Sequence, residues 1–225
     1  MEEYRQKGYL PTAVFNYLSL LGWTPKGNEE VFLPDEIVPQ FELTRVSKSS
    51  AVFDEQKLRW INGYHFSRWD TADLLPLVED AIRNTDLSSK AVEDRMYLER
   101  VVDLLKGRVK VVDDFVKMGR YFWEDPEEYD QETVARFWPD TSVNALLKKW
   151  LVRLESLEEF DEEHLEKALR GLAEEEGVKA GLLIHPTRIA LTGLGVSPGI
   201  FEVMALLGRE TNLRRIRKAV EVLPD

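Results

Sequence analysis

Through almost the whole second half of the sequence, apolar side chains recur every three to four residues, and most of these runs open on a residue type that caps helices. Asp130 leads Glu132 to Trp138, Thr141 leads Val143 to Leu157, and Asp161 leads Glu163 to Glu175, with Gly177 closing the last of these. Two further runs, Ala180 to Leu191 and Pro198 to Leu207, flank a glycine-rich link, and a final one covers Glu210 to Val222. Such a period leaves one apolar stripe per helix, and the stripes have only each other to pack against. No β and α patterns alternate, so a parallel sheet is not expected.

The first half shows the same period with interruptions. Pro11 opens a helix over Thr12 to Leu21, with Val14, Phe15, Leu18 and Leu21 expected on a buried stripe and Gly22 as the stop. Pro25, Gly27, Pro34 and Pro39 then break the chain, and Val31 to Leu33 is expected to form a short strand. Asp54 caps Glu55 to Asn62, where Gly63 is expected to end the helix. Asp70 or Thr71 caps Leu74 to Ile82, and Ser88-Ser89 precede a helix over Lys90 to Lys106 with Val92, Met96, Leu98 and Val101 on its apolar face. The fold class expected is all-α, mainly helical, with few short strands.

With 225 residues, 44% of them hydrophobic, the chain can bury a sizeable core, and no run reaches the roughly 18 to 20 apolar residues of a membrane span. Met1 to Lys7 hold no apolar export segment, so cytoplasm is expected. There is no cysteine, which removes thiolate metal sites and a cysteine nucleophile. His65, His164 and His185 are too far apart to share a helical face, and no metal site is expected.

A net charge of −11 argues against nucleic acid, because phosphate neutralisation supplies much of such affinity. The distribution alters this. Residues 155–176 carry ten acidic and two basic side chains, whereas 177–225 carry seven basic and four acidic, with Arg214, Arg215, Arg217 and Lys218 together. A basic C-terminal face is therefore expected, with a solvated last helix as the plainer alternative.

Gly193-Leu194-Gly195-Val196-Ser197-Pro198-Gly199 looks like a phosphate loop, but its third glycine falls one residue late for a dinucleotide motif and no strand precedes it. It offers instead a turn with Ser197 as N-cap, Pro198 at the first helical position and free backbone N–H groups. Arg45-Val46-Ser47-Lys48-Ser49 looks like the adenylate-binding loop of class I synthetases, yet nothing upstream supplies the nucleotide-binding unit it would face. The acidic cluster Glu158, Glu159, Asp161, Glu162 and Glu163 suits a solvated helix start and needs no catalytic role.

Gly8-Tyr9-Leu10-Pro11-Thr12-Ala13, Asn16 to Trp23, Arg45 to Asp54, Lys57 to Gly63, Arg120 to Asp125, His185 to Gly193 and Pro198 to Gly208 occur in an order that resembles bacterial-type glutamyl-tRNA synthetases, of the class I aminoacyl-tRNA synthetase family. The resemblance spans essentially the whole chain and corresponds to the family's C-terminal half. It implies a stem-contact region over 1–70 and helical anticodon-binding subdomains over 71–120 and 121–225. It implies tRNA(Glu) as partner, a catalytic N-terminal half that holds ATP and magnesium, no cofactor in this stretch, no catalysis by this chain alone, no DNA or membrane partner, and a monomer.

By position in that family, Arg108 is expected to read the third anticodon base, which favours discrimination of tRNA(Glu) from tRNA(Gln). Arg188, Ser197, Pro198 and Ile200 are expected to hold the middle base. An arginine offers planar donors to a base edge, and the turn offers backbone groups and an apolar stacking surface. Stem contact falls to Trp60 and Arg68, although Arg68 stands one residue from its place in relatives, about 100° of helix rotation, and for Trp60 packing in the core is the favoured alternative to touching the D-stem. The competing reading is a helical protein–protein docking module in which residues 155–176 meet a basic partner.

Overall fold

The computed structural model describes residues 2–47, 52–87 and 90–223. The Ser88-Ser89 start signal and residues 48–51 of the loop-like segment lie outside them. The helices are α1 (Glu2–Gln6), α2 (Pro11–Gly22), α3 (Pro34–Ile37), α4 (Glu55–Arg68), α5 (Thr71–Arg83), α6 (Lys90–Glu93), α7 (Arg95–Leu105), α8 (Asp113–Gly119), α9 (Gln131–Phe137), α10 (Ser142–Ser156), α11 (Glu162–Glu175), α12 (Gly181–Thr192), α13 (Ile200–Leu207) and α14 (Arg209–Val222). The described residues contain no strand, only one antiparallel bridge between Trp23 and Val46. The chain divides into two compact units, Met1–Arg120 and Tyr121–Asp225.

Helix starts sit where short polar side chains can take the first free amides. Asp54, Asp70, Asp94, Asp130 and Asp161 each accept a hydrogen bond from a backbone N–H two or three residues on. The cap at Asp94 splits the helix expected over Lys90 to Lys106 into α6 and α7, and turns Met96, 80% exposed, to solvent.

In the N-terminal unit α2 lies on α4, and α5, α7 and α8 pack together. Three expectations fail here. Helix α2 buries Ala13, Val14, Asn16 and Tyr17, leaving Phe15 and Leu18 exposed. Asn16 is the reason: its amide donates to the Glu30 carbonyl at 3.2 Å and its oxygen accepts from the Phe32 amide at 3.1 Å. These bonds satisfy the backbone of 30–32 without a partner strand, so the expected strand does not form. Gly63 does not end α4; the helix runs on to Arg68 because Gly63 lets the Val109–Lys110 backbone and side chain lie where a Cβ would stand. Beside it buried Asn62 accepts from the Leu10 amide at 2.8 Å and donates to the Lys110 carbonyl at 2.6 Å, joining three segments.

His65 is 3% exposed, between the Thr12 hydroxyl at Nδ1 (3.1 Å) and the Asn16 oxygen at Nε2 (3.3 Å). Both bonds suit a neutral ring with its proton on Nε2. Burial first, and then the nearby Arg68 charge, lower its pKa to about 4. Unfolded, the ring binds a proton near 6.5, so between 6.5 and about 4 the unfolded chain holds more protons than the folded one. Stability from this group is complete above 6.5 and falls as acid is added through that window, by roughly 2 to 3 kcal/mol. Thermal unfolding at pH 7.5 and pH 4.5 checks this: His65→Gln lowers the melting temperature at pH 7.5 and narrows the gap between the two values. Exposed His164, raised by its hydrogen bond to Asp161, works in the opposite sense.

The C-terminal unit is built around α12, which touches α9, α10, α11, α13 and α14. Its core includes Trp138, Leu147, Trp150, Leu154, Leu165, Leu169, Leu183, Ile189, Leu191, Met204 and Ile216. Within this unit the link from α12 to α13 is pinned: Gly193 adopts φ 74°, its carbonyl accepts from the Asp130 amide at 2.9 Å, and a Cβ there would meet the Glu128 carbonyl at 2.6 Å.

Candidate nucleic-acid interface

The turn after α12 is held by an arginine. From one turn before the end of α12, Arg188 Nη1 donates to the Ser197 hydroxyl and to the Pro198 carbonyl at 2.9 Å. Ser197 in turn donates to the Pro198 carbonyl at 2.8 Å. Thr192 closes the inner side, its hydroxyl donating to the Arg188 carbonyl at 2.8 Å and accepting from the Leu194 amide at 3.0 Å. A half-buried guanidinium is thereby fixed against a hydroxyl and a proline carbonyl, with its rotamer already selected.

The structure brings Arg188, Ser197 and Pro198 together and corrects the rest. Ser197 is not the N-cap: α13 starts at Ile200, and Glu202 reaches back to accept from the Gly199 amide at 3.0 Å, removing one of the amides expected to be free. Ile200 is 3% exposed, packed into the core cluster of the C-terminal unit, so it offers no stacking surface. The exposed apolar side chains of the turn are Val196 (78%) and Leu194 (41%). Both lie inside the glycine-rich segment 193–199.

Arg108 sits in the N-terminal unit, in the turn after α7, its amide donating to the Leu105 carbonyl at 2.8 Å. Its side chain is exposed and makes no hydrogen bond or ion pair among the described residues. On α4, Trp60 is 47% exposed, not in the core. Its ring lies 6.5 Å from that of Tyr64, over which the Arg68 guanidinium sits at 4.9 Å. Four-residue spacing thus gathers Trp60, Tyr64 and Arg68 into one exposed ladder of flat groups. Tyr64 was missed in the sequence, although that spacing was legible there.

The basic C-terminal face is largely spent on internal pairing. Arg215 is 3% exposed; its Nε donates to Asp125 at 2.7 Å, Nη1 to the Leu191 carbonyl at 2.6 Å and Nη2 to the Glu124 carbonyl at 3.0 Å. Arg214 also pairs with Asp125, and Arg217 with Glu155. The acidic stretch is likewise engaged, through Glu155 with Arg217, Glu166 with Arg170, Glu175 with Arg153 and Glu176 with Lys149. Glu159, Asp161 and His164 form a local ion-pair group at the start of α11.

The described residues form helices and loops, with an arginine-braced turn between two helices of the C-terminal unit. The chain belongs to the anticodon-binding domain family, whose description, "Anticodon binding domain", matches residues 71–220. Residues 1–60 match a second description, "tRNA synthetases class I (E and Q), catalytic domain", so the stretch expected to contact the stem falls largely within a catalytic-domain family. Together the matches make this the C-terminal part of a class I glutamyl-tRNA synthetase. Glutamate–tRNA ligase of Moorella thermoacetica is 38% identical over 97% of this chain and 45% of that protein. Glutamate–tRNA ligase of Parabacteroides distasonis is also 38% identical, over 98% of this chain and 43% of its own length. A crystal structure of a glutamate tRNA ligase from Elizabethkingia meningosepticum, in complex with its amino acid, superposes with a TM-score of 0.84 at 29% identity, covering 98% of this chain and 43% of that one. The chain spans a little under half the length of these relatives.

Proposed function

We propose that this chain recognises tRNA(Glu), holding its anticodon loop, as part of a glutamate–tRNA ligase whose remaining half activates glutamate with ATP and magnesium. The observation that carries this reading is the Arg188–Ser197–Pro198 lock. Loop bases are unstacked and can be read at their edges, and a guanidinium immobilised beside a hydroxyl and a carbonyl supplies directed donors without the entropy cost of ordering them on binding. In this reading Arg188 and the turn take the middle anticodon base, with Val196 as the apolar neighbour, and exposed Arg108 takes the third. The Trp60, Tyr64 and Arg68 ladder contacts the tRNA stem region.

The protein works as a cytoplasmic monomer. Glu155, Glu166, Glu175 and Glu176 of the 155–176 stretch pair with arginines and a lysine of this chain, which leaves fewer of its carboxylates for a basic partner.

The test is a titration of the chain with tRNA(Glu) and with an unrelated tRNA at two salt concentrations. Without the acceptor-stem contacts of the other half, binding is weak, falls about tenfold over a fourfold rise in salt, and prefers tRNA(Glu). Arg108→Glu and Arg188→Glu each weaken it and erase the preference. Equal binding of both tRNAs, unchanged in both variants, would return the docking reading.

A further inference from the structure

Beside the turn that Arg188 closes, the C-terminal unit carries a second set of flat side chains that the anticodon reading leaves unused. Arg136 and Phe137 end α9, and His185 precedes Arg188 by one turn on α12. The Phe137 and His185 rings are stacked, 4.0 Å between centroids at 13°, and the Arg136 guanidinium lies 4.9 Å from the Phe137 centroid. Both rings are half-buried, while Arg136 is exposed.

Two details separate this cluster from ordinary packing. In a chain of net charge −11, Arg136 makes no ion pair among the described residues and lies against an aromatic ring instead. His185 Nδ1 is buried without a hydrogen-bond partner, so no hydrogen bond at that edge fixes the ring. Burial, then Arg188, then Arg136 lower the His185 pKa, which keeps it neutral near pH 7. With His185 stacked on Phe137 and the Arg136 guanidinium over the same ring, the cluster turns its ring edges and the exposed, planar Arg136 group outward, and a flat cation beside aromatic rings suits a base and its phosphate.

The cluster is also continuous with the turn. At its start α9 supports the turn, through the Asp130 amide on the Gly193 carbonyl and through Thr133, against which Gly195 lies without room for a Cβ. At its end α9 supplies Arg136 and Phe137.

We propose that Arg136, Phe137 and His185 form a second nucleotide seat, taking the base and phosphate of the loop nucleotide next to the one held at the Arg188 turn. This rests on the anticodon reading. It assigns Arg136 and His185 as RNA contacts and makes the surface a two-nucleotide clamp.

The experiment titrates the full chain with a fluorescent anticodon stem-loop of tRNA(Glu), and with a series of the same RNA carrying one abasic nucleotide at successive loop positions. Arg136→Met and His185→Ala each weaken binding about fivefold or more, and His185→Phe, which keeps the ring, restores most of the loss. One abasic RNA, and only one, removes the difference between the parent chain and His185→Ala. Melting temperatures of the variants exclude misfolding as the cause, and if His185→Ala unfolds, Arg136→Met and His185→Phe carry the comparison. If binding is unchanged in Arg136→Met and His185→Ala but falls in Arg188→Met, the second seat is wrong and the turn reading stands. If Arg188→Met is also without effect, both fail.

Discussion

Arg215→Met is expected to destabilise the C-terminal unit by about 3 to 5 kcal/mol, the loss typical of breaking a buried, hydrogen-bonded charge pair from one side. Its guanidinium bonds Asp125, the Leu191 carbonyl near the end of α12 and the Glu124 carbonyl, all beneath a side chain that is 3% exposed. Methionine fills much of the volume but takes one donor away from each of two carbonyls and from Asp125, and a buried polar group left unsatisfied costs about 1 to 3 kcal/mol. Against a total of roughly 5 to 15 kcal/mol this is a large share. Thermal denaturation checks it: a fall of about 10 °C or more for Arg215→Met, against a few degrees at most for Arg214→Met, whose side chain is 55% exposed. Equal shifts for the two neighbours would contradict the structural role.

Arg188→Met is expected to remove about 1 to 3 kcal/mol of discrimination at the middle anticodon base, by analogy with paired arginine contacts to DNA bases, that is, roughly 5- to 150-fold in relative affinity. Fold stability should move less than affinity, because the bonds that Arg188 makes to Ser197 and Pro198 lie at a half-exposed turn rather than in the core. Arg188→Lys keeps the charge and loses the fork, and recovers overall affinity better than base preference. Binding measured against stem-loops with each of the four middle bases separates these effects. Uniform weakening with preference intact would mean that Arg188 serves only as a brace.

What was legible in the sequence depended on how far each determinant reaches along the chain. Asp54, Asp70, Asp130 and Asp161 act on amides two or three residues away, so the helices they start could be read locally. Gly63 reads as a stop by the same logic, yet its role is set by Lys110, forty-seven positions on. The stripe assigned to α2 failed because Asn16 turns that helix toward 30–32, and no periodicity encodes such a bond. Resemblance placed Arg188, Ser197 and Pro198 in one group, and they do meet. Ile200 and Trp60 exchanged their expected environments, one buried and one exposed, because one helical step decides which face meets a neighbour. The run Arg214 to Lys218 looked like a uniform basic face, but α14 turns Arg215 inward onto Asp125 while Arg214 stays outside.

The most direct measurement is a hydroxyl-radical footprint of this chain on tRNA(Glu). The account predicts protection of the anticodon loop that disappears in Arg188→Met while the variant remains folded. A footprint that leaves the anticodon loop open, or one that Arg188→Met does not alter, would contradict it.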